Sequence, residues 1–441
     1  MKKFLILIIL LFYSLPAFCI NLISDEETES WLFDVLNPIF KAADLPLNSS
    51  NIHIVNDASL NAFVGDKNHM FIHTGTLLKA SNTNEIEGVL AHETGHILGG
   101  HLLRLKIKIQ DLQQASLGSL LAAATIAAAS KRGDAAIAVV LGSQSSAINS
   151  LTSYQLSEER SADETAVALL QKQNKSSKGL KDFMIKIQQQ NRLEGISENP
   201  YFRTHPITTE RINFINQKLP QEPTPSSNNE LDNRLSRIQA KLYAYLSPID
   251  DVIKRYPLSN NSIEATIAHS VYYMRQKNLN TSLKYINKLI QKEPNNPYFI
   301  ELKAQTLFET GKTKEAIFTY KQALQLKPSS NLFKISYAEA ILADNPTRAQ
   351  LKEIIPLLEH SNRDNSYPIA YNLLGKSYSL LGEQSIADYY SAEYNNAIGN
   401  HQIALKQLNK ALKQALRSDI LLRAQDLQTK LKQDTKKTSL F

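Results

Sequence analysis

His92-Glu93-Thr94-Gly95-His96 reads His-Glu-x-x-His, and that spacing decides how the first half of this 441-residue chain is built. On an α-helix, residues four apart sit about 40° from each other around the axis, so both imidazoles leave from one face. Two imidazoles on one face can grip one Zn²⁺, and Glu93 beside them is placed to take a proton from a water that the metal activates. Asn84, with Glu87 three residues later, offers an N-cap and its reciprocal partner for that helix. Ile86, Val89 and Leu90 begin its apolar face. Gly95, Gly99 and Gly100 lower helix stability, and the use predicted for them is close approach of a neighbouring element.

Outward from this helix the chain reads as a mixed α+β domain over residues 20–216. Upstream, Trp31 to Ala43 has helical periodicity, Asn51 to Val55 alternates like a strand, and Met70 to His73 is a second short strand ending at Thr74-Gly75. Downstream, Leu117 to Ser130 and Ala135 to Ala147 are Ala-rich apolar segments broken by Lys131-Arg132-Gly133-Asp134. Each is too short to span a bilayer as a helix. They predict a helical hairpin, either packed in a core or covering the site and leaning on a membrane or client.

A catalytic zinc site needs a third protein ligand and an open fourth position. His101 lies nine residues after His92, whereas the metzincin pattern needs a histidine at ten, where this chain has Leu102. On a continuous helix His101 falls roughly 140° from His96 and faces away. Glu159 is the better candidate. It opens Glu159-Arg160-Ser161-Ala162-Asp163, where Glu159 and Asp163 share a helix face. One carboxylate can bind the metal while the other orients a ligand imidazole. His205, in Thr204-His205-Pro206, sits in extended backbone because proline restricts the residue before it. It could enter the site as a fourth ligand, assist catalysis, or cap the helix that begins near Thr208 with Glu210-Arg211.

Residues 217–233 are rich in Pro, Ser and Asn and read as a linker, followed by a connecting helical segment over 234–260. From 261 to 434 the chain carries an internal repeat. Pro294 and Pro328 are 34 residues apart, and Ala304, Gly311, Ala316, Tyr320 and Ala323 fall where a tetratricopeptide repeat wants small or aromatic residues. Tyr371, Leu374, Gly375, Tyr378, Gly382 and Ala387 reproduce the pattern, and Gly399, Ala404 and Ala411 repeat its later half. Residues 345–364 read as irregular, a place for the solenoid to bend.

The N-terminus reads as an address over residues 1–19. Lys2 and Lys3 precede an apolar run from Phe4 to Leu15, and Ala17-Phe18-Cys19 offers cleavage after Cys19. Lipidation at Cys19 is the alternative, disfavoured by the bulk of Phe18. Cys19 is the only cysteine, so a chain cut there has none, which suits an oxidising periplasm. The net charge of +7 is spread along helices without an aromatic recognition motif, which argues against a nucleic-acid role.

His92-Glu93-x-x-His96, Glu159-x-x-Ala162-Asp163 and Thr204-His205-Pro206 with Glu210-Arg211-Ile212 together resemble the HtpX/CAAX-protease-like family of zinc metallopeptidases. Asn61-Ala62-Phe63 and Thr74-Gly75 are similar to that family's segment before the metal helix, although its usual Gly-Gly is replaced by Gly65-Asp66-Lys67. The resemblance implies one Zn²⁺ per chain held by His92, His96 and Glu159, with Glu93 as general base and Asp163 behind the ligands. It implies that His205 can occupy the zinc and hold the enzyme latent; Arg211 matches in type only. The substrate strand is expected to pair with an exposed edge between Asn61 and Phe71. A signal peptide before such a domain and repeats after it resemble the family's periplasmic members. That likeness implies unfolded or stalled outer-membrane β-barrel proteins as clients, the barrel-assembly machinery as partner, and peripheral association with the membrane. The expected architecture is mainly α: an α+β zincin-type metallopeptidase domain followed by a tetratricopeptide-repeat α-solenoid. A chaperone or scaffold with a capped, structural zinc is the rival reading.

Overall fold

The computed structural model describes residues 21–438 apart from 49–50, 66–67, 131–132, 195–200, 202–203, 225–228, 363–366 and 415. The predicted signal peptide, Cys19 and the tip of the Ala-rich hairpin fall outside the described residues. The first unit runs β1 (Leu22–Ile23), α1 (Glu26–Ala42), β2 (Ile52–Val55), β3 (Ala62–Val64), β4 (Met70–His73), α2 (Thr74–Lys79), α3 (Thr83–Gly99), α4 (His101–Ser130), α5 (Gly133–Lys172), α6 (Lys178–Glu194) and α7 (Thr209–Lys218). Its sheet has the order β1-β2-β4-β3, with β2 and β4 parallel and the two outer pairs antiparallel. β4 is therefore interior, and the exposed edge expected between Asn61 and Phe71 is β3 alone. The core joins Trp31, Val35, Ile39 and Phe40 of α1 to Ile54, Ile72, Ile86, Val89, Leu180 and Phe183. These alternate along the strands and recur at helical spacing, so one face of each element is apolar.

The cap of α3 differs from the sequence expectation. Asn82, not Asn84, is the N-cap, its side chain accepting from the Glu85 amide at 3.2 Å. Three adjacent residues (Asn82, Thr83, Asn84) can all cap, and tertiary contacts choose between them. Glu85 reaches back to accept from the Ser81 amide at 3.0 Å and pairs with Lys186 of α6. α4 and α5 form the expected long hairpin. Along its described stem Leu103, Ile107, Ile109 and Leu117 are exposed, so that stem is not a packed core. Among the described residues, no helix is long and apolar enough to cross a membrane.

The second unit is a solenoid of helix pairs. After α8 (Asn229–Leu246) and α9 (Ile249–Arg255) come α10 (Ile263–Arg275) with α11 (Leu279–Lys292), α12 (Pro297–Glu309) with α13 (Thr313–Leu326), and α14 (Asn331–Ala343) with α15 (Arg348–Ser361). Then follow α16 (Pro368–Leu381) with α17 (Gln384–Ala397), and α18 (His401–Ala411) with α19 (Ser418–Thr438). In the first three pairs the chain turns through Lys277, Gly311 and Asn345, which share a left-handed conformation at the same repeat position. Ala304, Ala316, Tyr320 and Ala323 are buried where the helices pack, as small-residue stacking requires. The stretch expected to be irregular is a regular helix, α15, opened by a capping box between Thr347 and Gln350. Its signal was hidden because asparagine stands where the preceding repeat has glycine, and because Pro356 lies inside the helix.

α8 ties the two units together. Leu235, Ile238 and Leu242 belong to the first unit's core, and the Leu231 carbonyl accepts from Trp31 Nε1 at 3.0 Å. On the solenoid side Arg237 pairs with Glu293, which caps the C-terminus of α11. Nor is the Pro-rich segment before α8 wholly loose, since the Glu222 carboxylate accepts from the Ser177 amide at 2.7 Å. Lys327 and Ser330 of the solenoid also meet Glu26 at the start of α1.

Candidate metal centre

Two glycines let the metal helix meet its neighbours at backbone distance. A Cβ at Gly88 would lie 2.4 Å from the Leu180 amide of α6, and a Cβ at Gly95 would lie 2.7 Å from the Ala162 carbonyl of α5. The second approach sets Glu159 and Asp163 directly across from His92 and His96, and it explains why a small residue stands at 162. All of these site side chains are buried, His92, Glu93 and Asp163 completely.

The structure brings together every residue singled out from the sequence. Metal-ligating atoms of His92, His96, Glu159 and His205 all lie within 4.8 Å of one another. His92 Nε2 is 3.3 Å from Glu159 Oε2, His96 Nε2 is 3.3 Å from Glu159 Oε1, and the two Nε2 atoms are 3.1 Å apart. Behind them His92 Nδ1 meets Asp163 Oδ1 at 2.8 Å. That contact fixes the tautomer, leaving Nε2 free to face a metal. Arg211, whose role the sequence left open, grips Asp163 with Nε at 2.6 Å and Nη2 at 2.9 Å, and reaches Glu159 Oε2 with Nη1 at 2.7 Å. One buried cation thus holds both carboxylates of the Glu-x-x-Ala-Asp face.

His101 departs from expectation. It does not face away: its Nδ1 is 2.7 Å from His96 Nδ1, and its Nε2 is 2.7 Å from Glu158 Oε2. The cause is Gly100, left-handed at φ 63, which ends α3 and restarts the chain as α4 in a new direction. With His96 Nε2 turned toward a metal, its Nδ1–H would donate to His101 Nδ1, and Glu158 stands at the far side of the His101 ring. Arg104 holds Glu158 at 2.5 Å. The usable signal was Gly99-Gly100, which breaks the helical arithmetic that pointed His101 outward.

The chemistry of the site suits a divalent ion with imidazole and carboxylate ligands. Both carboxylate oxygens of Glu93 are buried, and neither has a hydrogen-bond partner among the described residues. An orphaned buried carboxylate is costly unless it serves a ligand or a reacting water. Burial drives the Glu93 carboxyl above its ordinary range, against the pull of His205 and His92. This is the direction wanted in a base that must release its proton again. Burial opposes the charged form of His92, but Asp163 and Glu159 outweigh it and raise the group to about 10. Burial, together with the neighbouring His92 and His205, brings His96 down to about 3 despite Glu159. Glu159 is held well below the usual carboxylate range in spite of its burial, chiefly by His205, His92 and His96. The donor set fits one zinc ion, which His92, His96 and Glu159 would hold. Zinc at such a site supplies Lewis acidity and acidifies a water towards neutrality.

His205 enters from the loop before α7. Its Nδ1 is 2.9 Å from Glu159 Oε1 and its Nε2 is 3.6 Å from Glu93 Oε1. Tyr201 lies against its ring, centroids 4.6 Å apart. The imidazole therefore stands within the ligand cluster, between the metal-directed carboxylate and the base. β3 borders the same cleft, with Phe63 and Val64 facing Glu93 and His96 across it.

Residues 26–219 match the sequence profile described as Peptidase family M48. The chain is similar to the beta-barrel assembly-enhancing protease of Escherichia coli K12, 23% identical over 379 residues, covering 82% of this chain and 74% of that protein. The protein of the same name from Yersinia pestis is 22% identical over 340 residues, covering 75% and 68%. The metalloprotease YcaL of Escherichia coli K12 is 29% identical over 189 residues, covering 42% and 68%.

Proposed function

We propose that this chain, a zinc metalloprotease built on a peptidase family M48 domain, works in the periplasm on outer-membrane β-barrel proteins that have failed to assemble. The observation that carries the protease reading is the buried Glu93 carboxylate, which has no hydrogen-bond partner among the described residues and stands beside the His92, His96 and Glu159 cluster. In the reaction Glu93 takes a proton from the attacking water and returns it to the leaving amine. Arg211 and Asp163 keep His92 and Glu159 in place, and His101 does the same for His96. A substrate strand adds to β3, whose main-chain groups lie on the open side of the sheet. Barrel proteins suit this mode because their unpaired strands are extended and seek an edge. The client and the compartment are supported by relatives named for barrel assembly and by a leader-like N-terminus. The solenoid would hold the client or the assembly machinery while an extended segment reaches the cleft.

His205 favours a second version, in which the site is latent and the repeats act as a chaperone or scaffold until the loop moves. Its 2.9 Å contact with Glu159 is the observation behind it. The test compares full-length wild type with His205→Ala, both zinc-loaded, on an unfolded outer-membrane barrel protein and on an unfolded soluble protein. Faster cleavage of the barrel protein supports the client reading, and equal rates contradict it. Cleavage gained only in His205→Ala favours the latent version. Cell fractionation that leaves the mature chain in the cytoplasm contradicts the compartment.

A further inference from the structure

A pocket of about 250 Å³ opens beside Glu93, His96 and His205. Its apolar wall comes from three elements: Phe63 and Val64 of β3, Leu102 and Leu105 of α4, and Tyr154 of α5. The wall is braced. Phe63 stacks on Phe71 at 4.8 Å with the planes only 7° apart, and Phe71 stacks in turn on His53 at 4.7 Å. Leu102 and Leu105 share a helix face by their spacing. The turn at Gly100 aims that face at the cleft, while Leu103 between them is 66% exposed. Glu158 also borders the pocket, but His101 and Arg104 occupy its carboxylate. Apart from Glu93 and Glu159, which belong to the metal centre, the pocket therefore offers bulk and apolar contact with its one further carboxylate already paired.

Its place relative to the base fixes its use. A strand paired with β3 sends alternate side chains to opposite faces, so one side chain next to the bond at Glu93 turns into this pocket. Cavities of about 150 Å³ lined by Leu and Phe hold a benzene ring, so this volume takes a benzyl, isobutyl or thioether side chain with room left. We propose that this pocket sets cleavage preference, taking a bulky apolar residue (Phe, Leu or Met) immediately beside the scissile bond. Barrel strands carry such residues at every second position, which a soluble loop does not. The inference rests on the protease reading of the site but not on the identity of the client.

The test needs no turnover. Zinc-loaded full-length Glu93→Gln, and the same protein with His205→Ala, are titrated with two peptide hydroxamates that differ only in a benzyl or a methyl side chain next to the chelating group. The benzyl ligand is expected to bind at least tenfold tighter to one or both proteins. Leu105→Trp, which fills the pocket, is expected to abolish that advantage while methyl-ligand affinity stays within twofold. Leu102→Trp gives the same outcome by a separate substitution. Equal affinities for the two ligands, no binding of either to both zinc-loaded proteins, or a parallel loss for both in Leu105→Trp and Leu102→Trp would overturn the proposal. A benzyl preference in a protein that spares barrel clients would sink the client reading and leave the pocket standing.

Discussion

Replacing Gly95 with alanine should damage the metal centre without touching a ligand. A Cβ there would sit 2.7 Å from the Ala162 carbonyl oxygen and 2.9 Å from the Ala162 Cα. Ordinary carbon contacts lie at ~3.5–4.0 Å, so α3 and α5 must part by roughly 0.7–1 Å at this point. Ala162 is backbone-rigid within α5, so neither side can yield by turning a side chain. Overpacking of this kind costs ~1–3 kcal/mol of stability. The larger effect falls on the site, because His96 follows Gly95 directly and Glu159 precedes Ala162 by one turn. Functional constellations tolerate displacements of ~0.5 Å. Zinc affinity, read by competition with a chromogenic chelator, should fall by at least the ~10–100-fold that follows loss of a ligand's support. Turnover measured as kcat/KM with zinc in excess should fall ~100-fold, the usual result of a misplacement near 1 Å. Gly118→Ala is the control. Among the described residues, no atom outside its own stretch of helix lies within 4 Å of its Cβ, and it should gain ~0.5–1 kcal/mol from helix propensity. A Gly95→Ala protein with wild-type zinc affinity and kcat/KM would refute the claim that helix approach sets the ligand geometry.

Other perturbations separate the roles of the neighbouring groups. His101→Ala should weaken zinc binding ~10–100-fold while Glu93 chemistry survives at saturating zinc, and His101→Asn should restore part of the affinity. Arg211→Met leaves Asp163 and Glu159 facing each other in a buried site and should cost ~3–5 kcal/mol, read as a fall in Tm. Zinc affinity should fall with acidity. His92 is raised to about 10, so metal binding at neutral pH must expel its proton; isothermal titration in buffers of different ionisation enthalpy should detect proton release and a tighter Kd as pH rises. Asn82→Ala should cost ~0.5–2 kcal/mol as the cap of the metal helix, read as a fall in Tm.

The residues proposed to make the reaction were readable because their chemistry depends on spacing within one helix. His92, Glu93 and His96 follow from a turn of helix, and Glu159 with Asp163 follows from another. What joins the two helices was only half visible: Gly95 signalled a close approach, but Ala162 as its partner emerges from packing. His101 could not be placed by counting residues, because Gly100 resets the helix phase through a left-handed turn. Arg211 was recognisable only by type, since its value lies in reaching two carboxylates of a helix some 50 residues upstream. In the solenoid, the repeat was legible from its alanines and glycines. The third pair was missed because Asn345 performs the turn that Gly311 marks openly.

The central claim is that His92, His96 and Glu159 hold one zinc on which Glu93 acts as base. The most direct measurement pairs metal content with hydrolysis of an unfolded protein, for wild type, His205→Ala and Glu93→Gln prepared side by side. The account predicts one zinc per chain in all three, cleavage by wild type or His205→Ala, and a loss of at least a thousandfold when Glu93→Gln is introduced into the cleaving form. Zinc-loaded Glu93→Gln protein that cleaves as fast as its parent, or purified chain that binds no zinc at this site, would contradict it.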